Sequence, residues 1–576
     1  MSSSSPLITR IETERAELAT RSAALPAEAT GVRAGSSIRL LIDYLGISLL
    51  VMLPLWRPGY VLTMDAVFVP HYRFSIASVP HEQAMSTLLA LLNLILPGDM
   101  IEKLVFTAIL VLAGLGMHRL VAVENSTLRY VAGLSAIFNP FVYDRMMYGQ
   151  WSVLLGYALL PWLLASLKSA LTAPEIWPVW PALRVAVWWT VITLVALPMG
   201  LIAGTAIAIV LLCHVLLVSR ASRRSTVRLS VLLVGWLLLL NAYWMIAELI
   251  SPVTGAARAA QFSPLELTAF ATRGDPVWGS VLTVVGGYGF WAEGSTRFIN
   301  MRDVLPYWPV EPFVLLVLAS LAAGIALRRR ERSITLALTL ALVIATVLAI
   351  GLASPLAAAP SRFLFDHVAP YRGLRDTQKW VALVLVAEIA LAIQGLDIIL
   401  ARLAAARRTT AMAIAGCCLL LPVLFAPALF WGFAGQLRPV AYPPSWFSAD
   451  ERLRADSHHG VTLFLPWHEY LRFPFAGRVF ANPAQSFFDV PIIQGDNMEM
   501  RLIRSDSRNP VSALITRTLS RDRSRLAHVL ATMHVKYILL AKAADWQAYR
   551  LGAIPHLAPV QQWPDLILYR NLSSHG

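Results

Sequence analysis

The chain alternates long apolar runs with short polar breaks and changes character after about residue 433. Runs near 38–56, 101–121, 127–143, 151–168, 184–198, 201–219, 228–250, 308–327, 334–353, 380–400 and 410–432 predict about eleven membrane-crossing helices. A helix of about 20 apolar residues, rising about 1.5 Å per residue, covers a hydrocarbon layer about 30 Å thick. None of these runs alternates as a strand does, which excludes an outer-membrane barrel. Beyond 433 the apolar runs shrink to strand length, as in VTLFLPW (461–467), VKYILLA (535–541) and DLILYR (565–570), and the pair Pro443-Pro444 reads as a linker. The expected fold is therefore a polytopic α-helical membrane protein over 38–432 with a C-terminal extracytoplasmic α/β domain over 433–576. Residues 1–37, rich in Ser, Ala, Thr and Glu, predict a disordered cytoplasmic tail, and no cleavable signal peptide precedes the first run.

Composition sharpens this picture. With 57% hydrophobic and 14% charged residues and a mean hydropathy of +0.61, 576 residues cannot hide their apolar surface in one water-soluble core. Cys213, Cys417 and Cys418 all lie inside apolar runs, so neither a disulfide framework nor a zinc cluster is expected. The net charge of +14 reports topology rather than a nucleic-acid partner, because Lys and Arg crowd the turns around 119–129, 220–228, 328–332 and 402–408. These are cytoplasmic if the N-terminus is inside, which sends the C-terminal domain outside a bacterial plasma membrane. No internal repeat is visible, against a transporter built from inverted halves.

Three outer loops, 57–100, 251–307 and 354–379, are too long to be mere connectors. The second carries Arg258, Arg273, Arg297 and Arg302 and the third Arg362, Arg372, Arg375 and Lys379, all on the side where positive charge is disfavoured. In YRGLRDTQKW (371–380), the spacing of Arg372, Arg375 and Lys379 puts them on one face of a helical turn, suited to a lipid phosphate. Anchoring of the following span among anionic lipids is the alternative. In GYVLTMDAVFVPHYRF (59–74), Asp65 is a lone carboxylate in an apolar setting, which suits a general base or, more plainly, a turn former. His71, Arg73, His81 and Glu82 lie nearby at spacings that match no metal motif, so no cofactor is assigned, although a divalent metal is compatible with the loop.

FNPFVYDRMMYGQW (138–151) combines Asn139, Tyr143, Asp144, Arg145, Tyr148, Gln150 and Trp151, the material either of a sugar subsite or of an interfacial aromatic belt. Asn241, Tyr243, Trp244 and Glu248 pose the same choice on a later span. Glu388 lies about 12 Å inside its span from Trp380, either facing a cavity or bonding within the bundle.

Taken together, TMDAVFVP, FNPFVYDRMMYGQWSVLLGYALLPW (138–162), NAYW (241–244) and YRGLRDTQKW resemble the GT-C superfamily of integral-membrane glycosyltransferases. The likeness spans roughly 38–432 and is greatest to actinobacterial arabinofuranosyltransferases and related mannosyltransferase-like proteins. It implies transfer of a sugar, arabinofuranose or mannose, from a polyprenyl-phosphate donor to a cell-envelope glycan or lipid acceptor. Asp65 would be the base, and Arg372, Arg375 and Lys379 would hold the donor phosphate. Tyr143, Asp144, Arg145, Tyr148, Gln150, His71 and Glu248 would line the sugar and acceptor site. The first loop departs from the family pattern in having no paired acids. LPWHEY (465–470), FANPAQSFFDVP (480–491) and QGDNMEM (494–500) would bind acceptor or cap the site. The competing readings are a lipid-linked saccharide flippase, with Glu388 in a polar pathway through the membrane, and a non-catalytic envelope scaffold.

Overall fold

The computed structural model of the protein describes residues 28–74, 80–172, 177–250, 262–328, 333–456, 460–497, 499–500, 503–504 and 509–574. Arg258 and most of the predicted tail therefore fall outside the described residues. Helix α1 (Glu28–Met52) begins ahead of its apolar run, so the last part of the predicted tail is helical. Extending an existing helix escapes the cost of nucleating one.

The membrane part continues with α2 (Gly98–Leu120), α3 (Ser126–Ile137), α4 (Pro140–Met147), α5 (Trp151–Thr172), α6 (Val179–Val195), α7 (Leu197–Leu217) and α8 (Arg220–Ile250). It closes with α9 (Val310–Arg328), α10 (Ser333–Ile350), α11 (Val381–Ala406) and α12 (Arg408–Cys418). Among the described residues nine helical stretches are long and apolar enough to cross a membrane, so the chain is a multi-pass membrane protein. Two expected spans are not among them: 184–198, whose helix Val179–Val195 has 17 residues, and 127–143. Asn139 caps α4 by accepting from Val142 N at 2.9 Å, and Pro140 starts that helix without an N–H, so the apolar run breaks into two short helices. The twelve residues of α3 cover only about 18 Å.

α11 is the central post, buried from Val381 to Ile393 and packed against α9, α10 and α3. A helix apolar all round belongs in such a position. α2 packs on α1, α3 and α5, while α8 turns residues such as Leu238 and Leu239 outward, as lipid contact requires. Glu388 is enclosed on α11, and neither of its carboxylate oxygens has a hydrogen-bond partner among the described residues.

The C-terminal region is an α/β unit. Strands β1 (Val461–Leu465), β2 (Tyr470–Phe473), β3 (Arg478–Ala481), β4 (Ile492–Ile493), β5 (Glu499–Met500) and β6 (Ile503–Arg504) are followed by β7 (Val535–Ala541), β8 (Leu557–Gln562) and β9 (Leu566–Asn571). The main sheet runs β4-β1-β7-β9-β8, parallel across β4, β1 and β7 and antiparallel beyond. The separate β2–β3 hairpin reaches towards the membrane part: Met64 N donates to Val479 O at 3.3 Å, and Ala481 N to Met64 O at 2.8 Å. One isolated β-bridge, Met64 with Phe480, thereby ties the outer domain to the first outer loop.

Candidate active site

The first outer loop is pinned before it reaches Asp65. Acids at the start of α2 take its backbone donors: Asp99 accepts from Gly59 N at 3.2 Å, and Glu102 from Val61 N at 2.8 Å. Val440 pairs with Tyr60 from the other side. A tight turn follows, closed by Ala66 N to Thr63 O at 2.7 Å. It lies across the end of α4, with Thr63 Oγ1 donating to Met147 O at 2.8 Å and Asp65 N to Tyr148 O at 3.1 Å. Gly149 makes that approach possible. It holds φ +73°, and a Cβ there would stand 2.3 Å from Ala66 N and Thr63 O.

Asp65 is open to water on one side while protein atoms lie densely around the rest of it, so the carboxylate lines an open cleft. Tyr470 Oη donates to its Oδ1 at 2.7 Å, and Gln150 Nε2 to its Oδ2 at 3.0 Å. Burial raises the carboxyl pKa, and these two donors together with the charges of Lys379 and Arg145 pull it partly back. Glu469, the neighbour of Tyr470, lies within electrostatic reach of both Asp65 and Arg375; burial first, then the charges of Asp65 and Asp496, push its carboxyl up to about 7. The cleft thus holds two acids, one from the first loop and one from the outer domain.

Gln150 is itself held. Its Oε1 accepts from Arg145, whose guanidinium forms a two-pronged pair with Asp376 at 2.5 and 3.3 Å and also donates to Gln378. Phe290 and Phe141 cover the guanidinium, with ring centroids 4.5 and 5.4 Å away. Because its oxygen must face Arg145, the Gln150 amide must present its NH2 to Asp65.

The structure brings some of the predicted site residues together and separates others. Tyr143, Asp144 and Arg145 are buried within the cleft wall. Tyr143 donates to Ile299 O and accepts from Gln436, both at 2.9 Å. Asp144 faces Glu293, and burial followed by that neighbour's charge holds its carboxyl well above the usual range. Tyr148 packs against Phe290 and Trp291 and accepts from Arg297 at 3.2 Å. His71 is exposed, and among the described residues no contact joins it or Glu248, on the last turn of α8, to Asp65. Asn241 bonds Thr190 and Trp244 inside the bundle.

The expected single cationic face on 371–380 is not formed. Two 3-10 turns, Ala369–Leu374 and Thr377–Trp380, meet at Asp376, which leaves helical geometry (φ −80°, ψ 85°) where it meets Arg145. Arg372 instead caps helix Pro355–His367, donating to Phe365 O at 3.0 Å. Arg375 pairs with Glu266 at 3.2 Å under Phe262 and Phe270. Lys379 stays within electrostatic reach of Asp65, and Arg297 joins it from the second loop, contacting Met64 Sδ at 3.1 Å and Tyr148. Among the described residues neither Lys379 nor Arg297 forms an ion pair with a carboxylate. Tyr470, Glu469 and Arg297 were not selected from sequence as site residues. LPWHEY stands out in sequence only as part of a region that binds acceptor or caps the site, and Arg297 as one of several misplaced cations.

Residues 84–558 match the family described as alpha-(1->3)-arabinofuranosyltransferase, N-terminal GT-C domain. The chain belongs to this GT-C family. The match runs past residue 433 through most of the outer domain, further than the resemblance read from the motifs. Arabinofuranosyltransferase AftD from Mycobacteria shares the fold, with TM-score 0.61 and 17% identity over 92% of this chain and 40% of its own. Archaeal oligosaccharyltransferase AglB from Archaeoglobus fulgidus, solved with an inhibitory peptide and a dolichol-phosphate, aligns with TM-score 0.51 and 12% identity over 88% of this chain and 69% of its own. The chain thus spans about two fifths of AftD. No curated protein sequence matches.

Removing the Tyr470 hydroxyl tests the carboxylate's setting. That hydrogen bond lowers the Asp65 pKa, so Tyr470→Phe should raise it and move the acid limb of the pH–rate profile to higher pH, with the plateau rate largely kept. An unmoved limb would show that Asp65 does not set it.

Proposed function

We propose that this GT-C domain transfers a sugar, arabinofuranose by the family's description, from a polyprenyl-phosphate donor to a cell-envelope glycan on the outer face of a bacterial plasma membrane, with the N-terminus cytoplasmic. The observation that supports it is a water-accessible carboxylate, Asp65, oriented by two donors, with Lys379 within electrostatic reach and Arg297 on the neighbouring Met64 and Tyr148, neither cation forming an ion pair with a carboxylate among the described residues. The dolichol-phosphate in the AglB structure is an isoprenoid lipid phosphate, the class of carrier that such a donor would release.

In this reading the acceptor hydroxyl displaces part of the Tyr470 contact and gives its proton to Asp65 as its oxygen attacks the anomeric carbon. The anomeric C–O bond to phosphate breaks, and its electron pair leaves with the polyprenyl phosphate. Lys379 and Arg297 stabilise the charge that develops there. One displacement inverts the anomeric centre. Arg375, already paired with Glu266, supplies field rather than direct contact. Among the described residues no three His, Cys, Asp or Glu side chains converge as metal ligands, so the step is derived from these side chains alone.

The test is donor saturation. Arg297→Gln and Lys379→Gln should each weaken use of a polyprenyl-phosphate sugar by about tenfold or more in kcat/KM, the loss of one charge-assisted contact of about 1.5–3 kcal/mol. Arg372→Gln, which removes a helix cap, should leave donor use unchanged. Equal losses in all three would reject the phosphate site.

A further inference from the structure

A second cleft opens in the outer domain, away from Asp65. Its volume is about 510 Å³, within the roughly 300–1,000 Å³ of small-molecule sites. It lies between the start of helix Pro444–Arg454, the turn of the β2–β3 hairpin and the β7–β9 end of the main sheet. Aromatic and proline side chains make its walls, with Trp563 and Phe475 only partly buried. Two charged groups converge on it. Lys542 Nζ donates to Trp563 O at 2.9 Å, which uses one of its three donors. Asp565 accepts from Ser445 Oγ and from Trp446 Nε1, the latter at 3.1 Å, leaving lone pairs for another partner.

Aromatic faces beside one donor group and one acceptor group of opposite charge suit a ligand with apolar C–H faces and a hydroxylated edge. One positive and one negative side chain leave the cleft without net charge, so nothing in it favours a phosphate. We propose that this cleft binds a neutral oligosaccharide, a stretch of the acceptor glycan remote from the sugar that reacts. Assigning that glycan as acceptor rests on the glycosyltransferase reading above; saccharide binding itself does not.

The hairpin links this cleft to the catalytic one. Tyr470 contacts Asp65, and Phe473, three residues along β2 and about 10 Å away by strand rise, lines the second cleft on the opposite face. A glycan filling both must wrap the hairpin edge. Only acceptors of several sugars can do so, so the cleft selects for acceptor length.

The experiment uses the full chain in lipid nanodiscs, because maltoside detergents would compete with a saccharide. A linear arabinofuranose hexasaccharide and a methyl arabinofuranoside are titrated with saturation-transfer NMR. Trp563→Ala and, as a substitution that keeps the local packing, Lys542→Gln should each weaken hexasaccharide binding at least about tenfold, equal to about 1.4 kcal/mol. Both should lower kcat/KM for the hexasaccharide and leave that for the monosaccharide unchanged. Asp65→Asn should bind the hexasaccharide as the parent does, so failure of the transfer reading would leave this binding intact. Absence of saturable binding, binding indifferent to both variants, or displacement of the saccharide by a proline-rich peptide overturns the proposal. If Trp563→Ala does not fold, Lys542→Gln decides.

Discussion

Asp65→Asn should reduce kcat on the order of 10²–10⁴-fold while leaving binding of the polyprenyl-phosphate donor nearly unchanged, the range expected for loss of a positioned general base. The amide is almost the same size and keeps an acceptor oxygen for Tyr470 or Gln150, so the loop held by Gly149 and the hairpin held by Met64 stay in place. What is lost is the capacity to take a proton. On the proposed mechanism the parent needs Asp65 ionised, so its rate should be full above that pKa and fall as pH drops through it. Burial raises that pKa above the usual carboxylate range, which puts the acid limb nearer neutrality than an exposed Asp would. In Asp65→Asn the residual rate should lose that limb. Glu469 titrates near 7 beside it and provides the control: Glu469→Gln should alter the profile without abolishing turnover. Parent-like turnover in Asp65→Asn would show that Asp65 is not the base. A tenfold loss confined to the Glu469 variant would point to Glu469 instead.

The division between what sequence discloses and what it hides follows range and geometry here. Each of the eleven apolar runs contains α-helix, because burial in lipid leaves the backbone no other partner. The run over 127–143 broke where its own letters, Asn139-Pro140, mark a helix start. The apolar run masks that local signal. Asp65 was legible as an acid out of place in apolar surroundings. Tyr470, its partner, is 405 residues away in a domain whose docking no periodicity encodes. The single face expected for Arg372, Arg375 and Lys379 does not form, for a different reason. Spacing of three and four places residues on one face only where the backbone is α-helical, and the contact of Asp376 with Arg145, 231 residues earlier, breaks that turn. Arg145 itself looked like a sugar ligand because sequence gives charge and neighbours but not burial. Buried and paired, it is the keystone of the wall.

Arg145→Met should therefore cost stability before it costs chemistry, by about 3–5 kcal/mol, because it leaves Asp376 as an uncompensated buried charge. Nanodisc samples followed by intrinsic fluorescence should show the melting midpoint fall well below that of the parent. Arg145→Met combined with Asp376→Leu removes both charges and should recover most of that midpoint, since a buried pair exchanged for apolar side chains is often neutral or stabilising. Turnover should not recover with it. In the parent, Arg145 takes the Gln150 oxygen and so turns the amide NH2 towards Asp65. Without the guanidinium the amide is free to rotate, and the carboxylate loses one of its two donors for part of the time. The double variant should accordingly fold, bind donor, and run with an acid limb shifted to higher pH, because the hydrogen bond from Gln150 had lowered the Asp65 pKa. A double variant that regains both stability and the parent pH profile would mean that Arg145 only holds the wall together. If stability returns while the profile stays displaced, Arg145 acts on the Asp65 carboxylate, through the Gln150 amide that it orients and through its own charge.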